Sequence, residues 1–151
     1  MNRFVDRSNL DKALAGNGLR MTRQRRTVYN VLMKHRDHPT AEEVFRRVKD
    51  DLPNISLGTV YNCLEAMVGC GLIRQVNRDR ESTRFCANLS EHAHFHCAAC
   101  GRVHDVDLPR EMLAKLAPPP ATGFAVDACD LTFRGTCPAC RDKASKSSPF
   151  Q

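Results

Sequence analysis

Two pairs of cysteines with the spacing Cys-x-x-Cys constrain this chain more than any other feature of its sequence. The first pair is Cys97 and Cys100, followed by a glycine, and the second is Cys137 and Cys140. Each pair presents two thiolates from a tight turn, and four thiolates match the tetrahedral coordination of structural zinc. The pairs lie farther apart than in compact zinc ribbons, so we expect the metal to clamp a whole subdomain. Such a zinc has no open position and is not catalytic.

The chain has eight cysteines, but a disulfide scaffold is not the expected explanation. The N-terminal residues lack the apolar run of a secretory signal, and no stretch approaches the roughly 18 apolar residues of a membrane span. We therefore expect a cytoplasmic protein whose thiols serve metal or redox chemistry. A thiol redox protein using one Cys-x-x-Cys pair is an alternative of a different class, although a single reactive pair does not need a twin.

The positive charge lies in one half of the chain. Residues 1–85 carry 16 Lys and Arg against 10 Asp and Glu, whereas residues 86–151 carry 7 of each. The whole net charge of +6 therefore belongs to the first half, which favours a polyanionic partner for that half. We place a domain boundary here, between a basic domain over residues 1–85 and a neutral domain over residues 86–151.

Helical signals fill the first half. Thr22 is a candidate N-cap, Thr40 begins a capping box with a glutamate three residues later, and Ser56 caps a fourth helix. The inward positions of that fourth helix are Val60, Leu64 and Met67. Two strand-like stretches follow, residues 72–76 and 82–85, joined by a charged turn. Several short helices followed by a hairpin predict a winged helix-turn-helix, in which the helix before the wing enters the major groove.

The predicted architecture selects the candidate DNA-binding residues. Side chains on the outer faces of the fourth helix are available to bases, namely Thr59, Tyr61 and Asn62. A basic cluster near the second helix suits phosphate or groove contacts; it contains Arg20, Arg23, Arg25 and Arg26. Arg78 and Arg80 at the wing tip suit the same backbone.

The second half reads as a small α/β unit, which makes the whole chain α+β. Strands are predicted over residues 93–97, 103–106, 124–126 and 131–133, with a helix over residues 109–117. The apolar positions expected to face inward on that helix are Met112, Leu113 and Leu116. So short a segment with so many apolar positions indicates that a second copy completes the core, as in a homodimer.

A second group of potential metal ligands lies around the domain boundary. Its members are Cys86, His92, His94 and His96, with Asp105 and Asp107 downstream and His38 upstream. Alternating histidines on a strand share one face, which suits a transition metal. Ordinary surface or buried imidazoles are the alternative.

Several motifs occur together: Met21-Thr-Arg-Gln-Arg25, His38-Pro-Thr-Ala-Glu-Glu43, Ser56-Leu-Gly-Thr-Val-Tyr-Asn62, Gly71-Leu-Ile, Thr83-Arg-Phe85, His92-Ala-His-Phe-His-Cys97 and both cysteine pairs. In this combination, over about residues 10–141, the chain resembles the ferric uptake regulator superfamily of bacterial metal-dependent repressors. The resemblance implies a homodimer whose winged helices read A/T-rich palindromes in double-stranded DNA. It also implies a C-terminal domain that dimerises and holds metals.

The resemblance assigns roles to individual residues. The structural zinc ligands are Cys97, Cys100, Cys137 and Cys140. The ligands of a regulatory site that spans the hinge are His38, Cys86, His92, His94 and Asp105. Tyr61 resembles a recognition-helix tyrosine that packs on bases, and Arg20 a basic residue that reaches into a groove.

The identity of the regulatory metal stays open, because the ligand residues match the patterns of two different groups within the superfamily. Iron- and peroxide-responsive members usually have a carboxylate where this chain has Cys86, and a cysteine there is typical of zinc-uptake repressors. A thiolate favours Zn²⁺ over Mn²⁺. His38 and Asp105 instead follow the iron or peroxide pattern, which favours Fe²⁺ or Mn²⁺. Asn62 after Tyr61 resembles the peroxide-responsive members more than the iron-responsive ones.

The sequence therefore predicts a transcriptional repressor of metal-uptake or peroxide-stress genes, and not an enzyme. Metal at the hinge would fix the spacing of the two DNA-reading heads, so that metal selects the binding-competent state. A peroxide sensor that uses iron or manganese at the same site is the alternative within this class. A zinc module that binds protein partners is a further alternative, disfavoured by the uneven charge.

Overall fold

The computed structural model describes residues 7–77, 82–116, 122–125 and 129–146. The chain divides into two compact units, Met1–Ser90 and Glu91–Gln151. This division places Cys86 in the first unit, whereas the boundary drawn from charge placed it in the second half. Within the described ranges, no helix has both the length and the apolar character needed to cross a membrane.

The first unit begins with four helices, whose bounds follow their capping residues. They are α1 (Arg7–Gly16), α2 (Arg23–His35), α3 (Ala41–Val48) and α4 (Leu57–Gly69). Thr22 and Ser56 accept backbone hydrogen bonds at the starts of α2 and α4, at 3.2 and 3.1 Å. Thr40 and Glu43 form the predicted capping box, because each side chain bonds the backbone amide of the other. The helix starts predicted from these residues are confirmed.

A two-stranded antiparallel sheet completes the first unit. Its strands are β1 (Arg74–Val76) and β2 (Arg84–Cys86). The segment before α3 also pairs with β2, because Thr40 forms an antiparallel bridge with Arg84 and the amide of Phe85 donates to the carbonyl of Pro39 at 3.0 Å. The wing-tip arginines Arg78 and Arg80 lie outside the described residues. Helices followed by a hairpin give the predicted winged-helix order.

The core of the first unit is apolar and continuous across the helices and the sheet. The inward positions predicted for α4 are buried, since Val60 and Leu64 are 0% exposed and Met67 is 1% exposed. Val44 and Val48 of α3 lie in the same cluster, with residues of α1 and α2. This rigid packing leaves the outer face of α4 available to a partner.

In its described residues, the second unit is a three-stranded sheet with two helices. Its elements are β3 (Ala93–Cys97), β4 (Val103–Val106), α5 (Arg110–Leu116), β5 (Thr132–Gly135) and α6 (Pro138–Lys146). The strand order is β4-β3-β5, with β3 antiparallel to β4 and parallel to β5. The observed α+β class agrees with the prediction.

Two predictions for the second unit need correction, and one helix was not predicted. Phe124 and Ala125 lie in no strand, and Val126 is outside the described residues, so the strand over 124–126 is not observed. Met112 and Leu116 do not face inward, because they are 49% and 43% exposed in the single chain; the side chain of Leu113 is outside the described part. Helix α6 was missed, because its polar sequence lacks an apolar stripe.

We expect Leu64→Ala to lower the free energy of unfolding by about 2–5 kcal/mol, because the change opens a cavity in a close-packed core. Glu65→Ala is the matched control, since Glu65 is exposed on the same helix and its loss should change stability by less than about 0.5 kcal/mol. Urea denaturation of both variants measures the difference. Equal stability of the two variants would contradict the assigned core.

Candidate metal centres and DNA-reading face

The four cysteines of the two Cys-x-x-Cys pairs lie together in the second unit. Because β3 and β5 are parallel and Cys97 is aligned with Gly135, the two strands deliver their cysteine turns to the same edge of the sheet. Gly101 has a φ of +68°, the left-handed geometry that favours glycine after the first turn. The four sulfur atoms all lie within 4.8 Å of one another.

The geometry of this cluster fits zinc. A Zn–S bond of about 2.3 Å implies sulfur–sulfur distances of about 3.8 Å in a tetrahedron, and the sulfurs of Cys100 and Cys137 are 4.0 Å apart. The backbone amide of Cys137 donates to the Cys97 sulfur at 3.3 Å. This hydrogen bond is the main cause that lowers the pKa of Cys97 to about 6. A sulfur that is readily deprotonated is what a zinc ligand requires.

The second unit also brings together two histidines and one acid. Antiparallel pairing sets His94 opposite Asp105. The Nε2 atoms of His92 and His94 are 3.0 Å apart, and Asp105 Oδ1 lies 3.2 Å from the first and 3.7 Å from the second. Metal–nitrogen bonds of about 2.1 Å place neighbouring ligand nitrogens about 3.0–3.4 Å apart. The three side chains thus converge as metal ligands do.

The first unit brings together the other two predicted ligands. The pairing of the segment before α3 with β2 sets His38 across from Cys86, and their donor atoms lie within 4.8 Å of each other. Both residues are buried, at 3% and 2% exposure. His38 has a φ of 52°, a left-handed geometry that costs a residue with a side chain on the order of 1–3 kcal/mol. An imidazole and a thiol held side by side inside a protein are suited to a soft divalent metal.

Two other candidates do not join a metal cluster. Among the described residues, neither His96 nor Asp107 belongs to a group whose donor atoms converge. His96 is buried at 3% exposure, and Asp107 is exposed. The sequence left the choice between Asp105 and Asp107 open, and the strand register selects Asp105.

The structure places the predicted DNA-reading residues on α4 and near the start of α2. Tyr61 and Asn62 are exposed on α4, and Arg20 and Arg23 are exposed before and at the start of α2. Arg23 and Thr59 line the same open cleft of about 340 Å³. The Tyr61 hydroxyl donates to Glu42 Oε1 at 2.9 Å, which raises the pKa of Tyr61. The tyrosine ring is therefore held by its hydroxyl while its face stays accessible.

Sequence reasoning missed the side chains that support His38. Arg84 bonds the carbonyl of His38, and Arg47 bonds Asp37 beside it. In the sequence, Arg47 is distinguished only by its contribution to the positive charge. Arg84 lies within the Thr83-Arg-Phe85 motif, which was the one available signal.

Comparison with known proteins identifies the family. A model of the ferric uptake regulator family matches residues 16–134. The chain belongs to the ferric uptake regulator family. The peroxide-responsive repressor PerR of Staphylococcus aureus is 32% identical to this Fur-family chain over 126 residues, which cover 83% of this chain and 85% of that protein.

Solved structures agree with this assignment. The Helicobacter pylori ferric uptake regulator Fur superposes with a TM-score of 0.74 at 21% identity, covering 89% of this chain and 90% of that one. The Campylobacter jejuni peroxide stress regulator gives a TM-score of 0.66 at 28% identity, covering 78% and 88%. Fur-family proteins are metal-dependent transcriptional regulators that bind DNA as dimers, and not enzymes. The family prediction is confirmed, and the thiol redox alternative is wrong.

We expect Cys100→Ser to lose the metal of the four-cysteine cluster, because three sulfurs do not complete a tetrahedral site. Cys129→Ser is the matched control, since Cys129 is an exposed cysteine of the same unit outside the cluster. Elemental analysis should find one zinc fewer per subunit in Cys100→Ser than in the control. Equal zinc content in the two variants would contradict the assignment.

Proposed function

We propose that this Fur-family protein is a homodimeric repressor that binds double-stranded DNA when a regulatory metal is present. Residues 1–85 bind DNA, and residues 86–151 dimerise and hold metal. A structural Zn²⁺ is held by Cys97, Cys100, Cys137 and Cys140. The observation that carries the proposal is that, apart from the four cysteines, each unit gathers part of a second set of metal donors. The cytoplasm is the proposed location.

The regulatory site combines these two sets. We assign to it His38 and Cys86 from the first unit, and His92, His94 and Asp105 from the second. Two or three donors alone leave coordination positions of a divalent metal to water, whereas five supply three nitrogens, one sulfur and one oxygen. A metal shared by both units would restrict the angle between them. Metal would then favour the arrangement that fits the operator.

The donor set and the relatives point to different signals. The thiol of Cys86 favours zinc, because a soft sulfur ligand prefers Zn²⁺ to Mn²⁺. His38 and Asp105 complete a set that also suits Fe²⁺ or Mn²⁺, and the similarity to a peroxide-responsive repressor supports peroxide sensing. In that alternative, a redox-active metal supplies the reactivity with peroxide. Oxidation of Cys86 or of a ligand histidine then removes a donor and lowers metal affinity.

DNA recognition is assigned to the outer face of the first unit. Tyr61, Asn62 and Thr59 on α4 read base edges in the major groove, and Arg20 and Arg23 contact phosphates or an adjacent groove. Support comes from the exposure of all these side chains except the half-buried Thr59, from the cleft that Arg23 and Thr59 share, and from the net charge of +6 in this half. An A/T-rich palindromic operator matches a two-fold symmetric dimer.

Dimerisation is assigned to the second unit. Among the described side chains of this unit, four large apolar ones are exposed in the single chain, at 40–77%: Met112, Leu116, Phe124 and Phe133. Exposed apolar surface of this kind marks a protein–protein contact. A second copy of the chain is the occupant that the family implies.

We expect Arg20→Ala to weaken binding to all DNA sequences and to lower the slope of log K against log salt by about 1, because one phosphate contact is lost. Tyr61→Ala should instead reduce the preference for operator over random DNA by about tenfold, equivalent to about 1.4 kcal/mol. Arg102→Ala removes the same charge from an exposed position of the second unit and should change neither quantity. Fluorescence anisotropy at several salt concentrations separates the three results. A Tyr61→Ala protein with full operator preference would contradict the assigned reading face.

We expect Cys86→Ser to abolish the sulfur-to-cobalt charge-transfer band of protein that carries zinc at the four-cysteine site and Co²⁺ at the regulatory site. The band requires a thiolate ligand, and the second site has no other sulfur in the proposed set. The variant should also lose metal-dependent operator binding while keeping its zinc. Cys70→Ser is the control, because Cys70 is a half-buried cysteine of the same unit outside both clusters. An unchanged spectrum in Cys86→Ser would return the site to nitrogen and oxygen ligands suited to iron or manganese.

A further inference from the structure

The turn that carries His38 has an unusual backbone. Between α2 and α3, Arg36 and His38 have φ angles of 36° and 52°, a region that residues with a side chain rarely occupy. Arg36 is the C-cap of α2, where this geometry is common. His38 precedes a proline, which disfavours right-handed helical geometry without requiring the left-handed one. Contacts from elsewhere in the first unit must therefore hold His38 in this conformation.

The first such contact comes from α3. The guanidinium of Arg47 donates two hydrogen bonds to Asp37, from Nη1 to Oδ1 at 2.8 Å and from Nη2 to Oδ2 at 2.6 Å. A forked pair of this kind sets orientation as well as distance, which a lysine ammonium does not. Since Asp37 immediately precedes His38, this pair anchors the N-terminal side of the histidine.

The second contact comes from β2. Arg84 Nη1 donates to the backbone carbonyl of His38 at 2.9 Å and to Glu43 Oε2 at 3.2 Å. The same Glu43 oxygen accepts the backbone amide of Thr40 at 2.8 Å. The C-terminal side of the histidine is thereby tied to both β2 and the start of α3.

We propose that Arg47 and Arg84 are positioning residues that hold His38 ready as a ligand of the regulatory metal, an inference that rests on the proposed function. A guanidinium has no free lone pair for a metal, so both arginines act through the histidine. A ligand held in place before the metal arrives loses less conformational freedom on binding, which strengthens the complex. Arg84 also lies two residues before Cys86 on β2, so it fixes the separation of the two donors of the first unit.

We call Arg47 and Arg84, with the carboxylates that they bond, the arginine clamp. The charges of this clamp are balanced. Arg47 is paired with Asp37, and Arg84 with Glu43. Because each carboxylate offsets its guanidinium, the clamp orders His38 while adding little repulsion toward a divalent cation. A neutral clamp is therefore compatible with a metal site nearby.

Cobalt binding to the zinc-loaded dimer tests the clamp. The variants are Arg84→Met and Arg47→Met, with Arg84→Lys as the conservative change and His38→Ala as the reference for loss of the ligand. Arg46→Met is the matched control, since Arg46 is an exposed arginine of the same helix. Each protein is titrated with Co²⁺, and the absorption spectrum is recorded at saturation.

We expect the two methionine variants at positions 84 and 47 to bind Co²⁺ about 10–100-fold more weakly, the usual effect of removing support from a metal ligand. Their saturated spectra should approach that of His38→Ala, a change that reduced stability alone does not produce. Arg84→Lys should recover part of the affinity, and Arg46→Met should match the unmodified protein.

Either of two results would overturn the proposal. They distinguish failure of the clamp alone from failure of the regulatory site. If both methionine variants keep the affinity and spectrum of the unmodified protein while His38→Ala is weakened, the clamp is wrong and the regulatory site stands. If His38→Ala itself binds Co²⁺ normally, His38 is not a ligand, and the regulatory assignment fails together with the clamp. Arg47→Met alters only an exposed ion pair, so it remains informative if Arg84→Met does not fold.

Discussion

The pairing of β3 with its two neighbours is the constraint on which the metal chemistry of the second unit depends. Pairing with β4 sets His94 opposite Asp105, and pairing with β5 sets Cys97 beside Gly135. A slip of one residue would turn every side chain of β3 to the opposite face and separate both groups of donors. Gly135 helps to hold the register, because a Cβ at this position would lie 3.2 Å from the Phe95 ring. A single strand thus positions donors of two candidate metal sites.

In the first unit, hydrogen bonds connect the first turn of α3 to the His38 turn and to α4. Glu43 bonds the amide of Thr40 and the guanidinium of Arg84, which also holds the carbonyl of His38. One residue earlier, Glu42 accepts the hydroxyl of Tyr61 on α4. The first turn of one short helix therefore contacts both the turn that bears a proposed metal ligand and the proposed base-reading tyrosine. A change in the His38 turn has a short route of direct contacts to the DNA-reading face.

Features with a local cause could be predicted from the sequence. The caps at Thr40 and Ser56 depend on residues three positions away. Each cysteine turn depends on two cysteines that are likewise three positions apart. The arginine clamp could not be predicted, because Arg84 and His38 are 46 positions apart and meet only after β2 has paired. Helix α6 was not predicted for a different reason, since its sequence has neither an apolar stripe nor an N-terminal cap of the usual type. Burial of Met112 was wrongly expected because an apolar pattern marks a covered face without showing whether its own chain covers it.

The described part of the second unit has only a small apolar core of its own. Among its described residues, the buried apolar side chains are few and small: Ala93, Cys97, Val103 and Cys137. Two of these four are members of the cysteine cluster, so half of this small core lies where a zinc would bind. A unit with so small an apolar core gains much of its stability from cross-links and from association. The exposed Phe133 lies on β5, two residues before Gly135, so the strand that a metal would hold in register also presents part of the apolar surface for a second copy. A zinc at the cysteine cluster and a second copy on the apolar surface would therefore both stabilise β5.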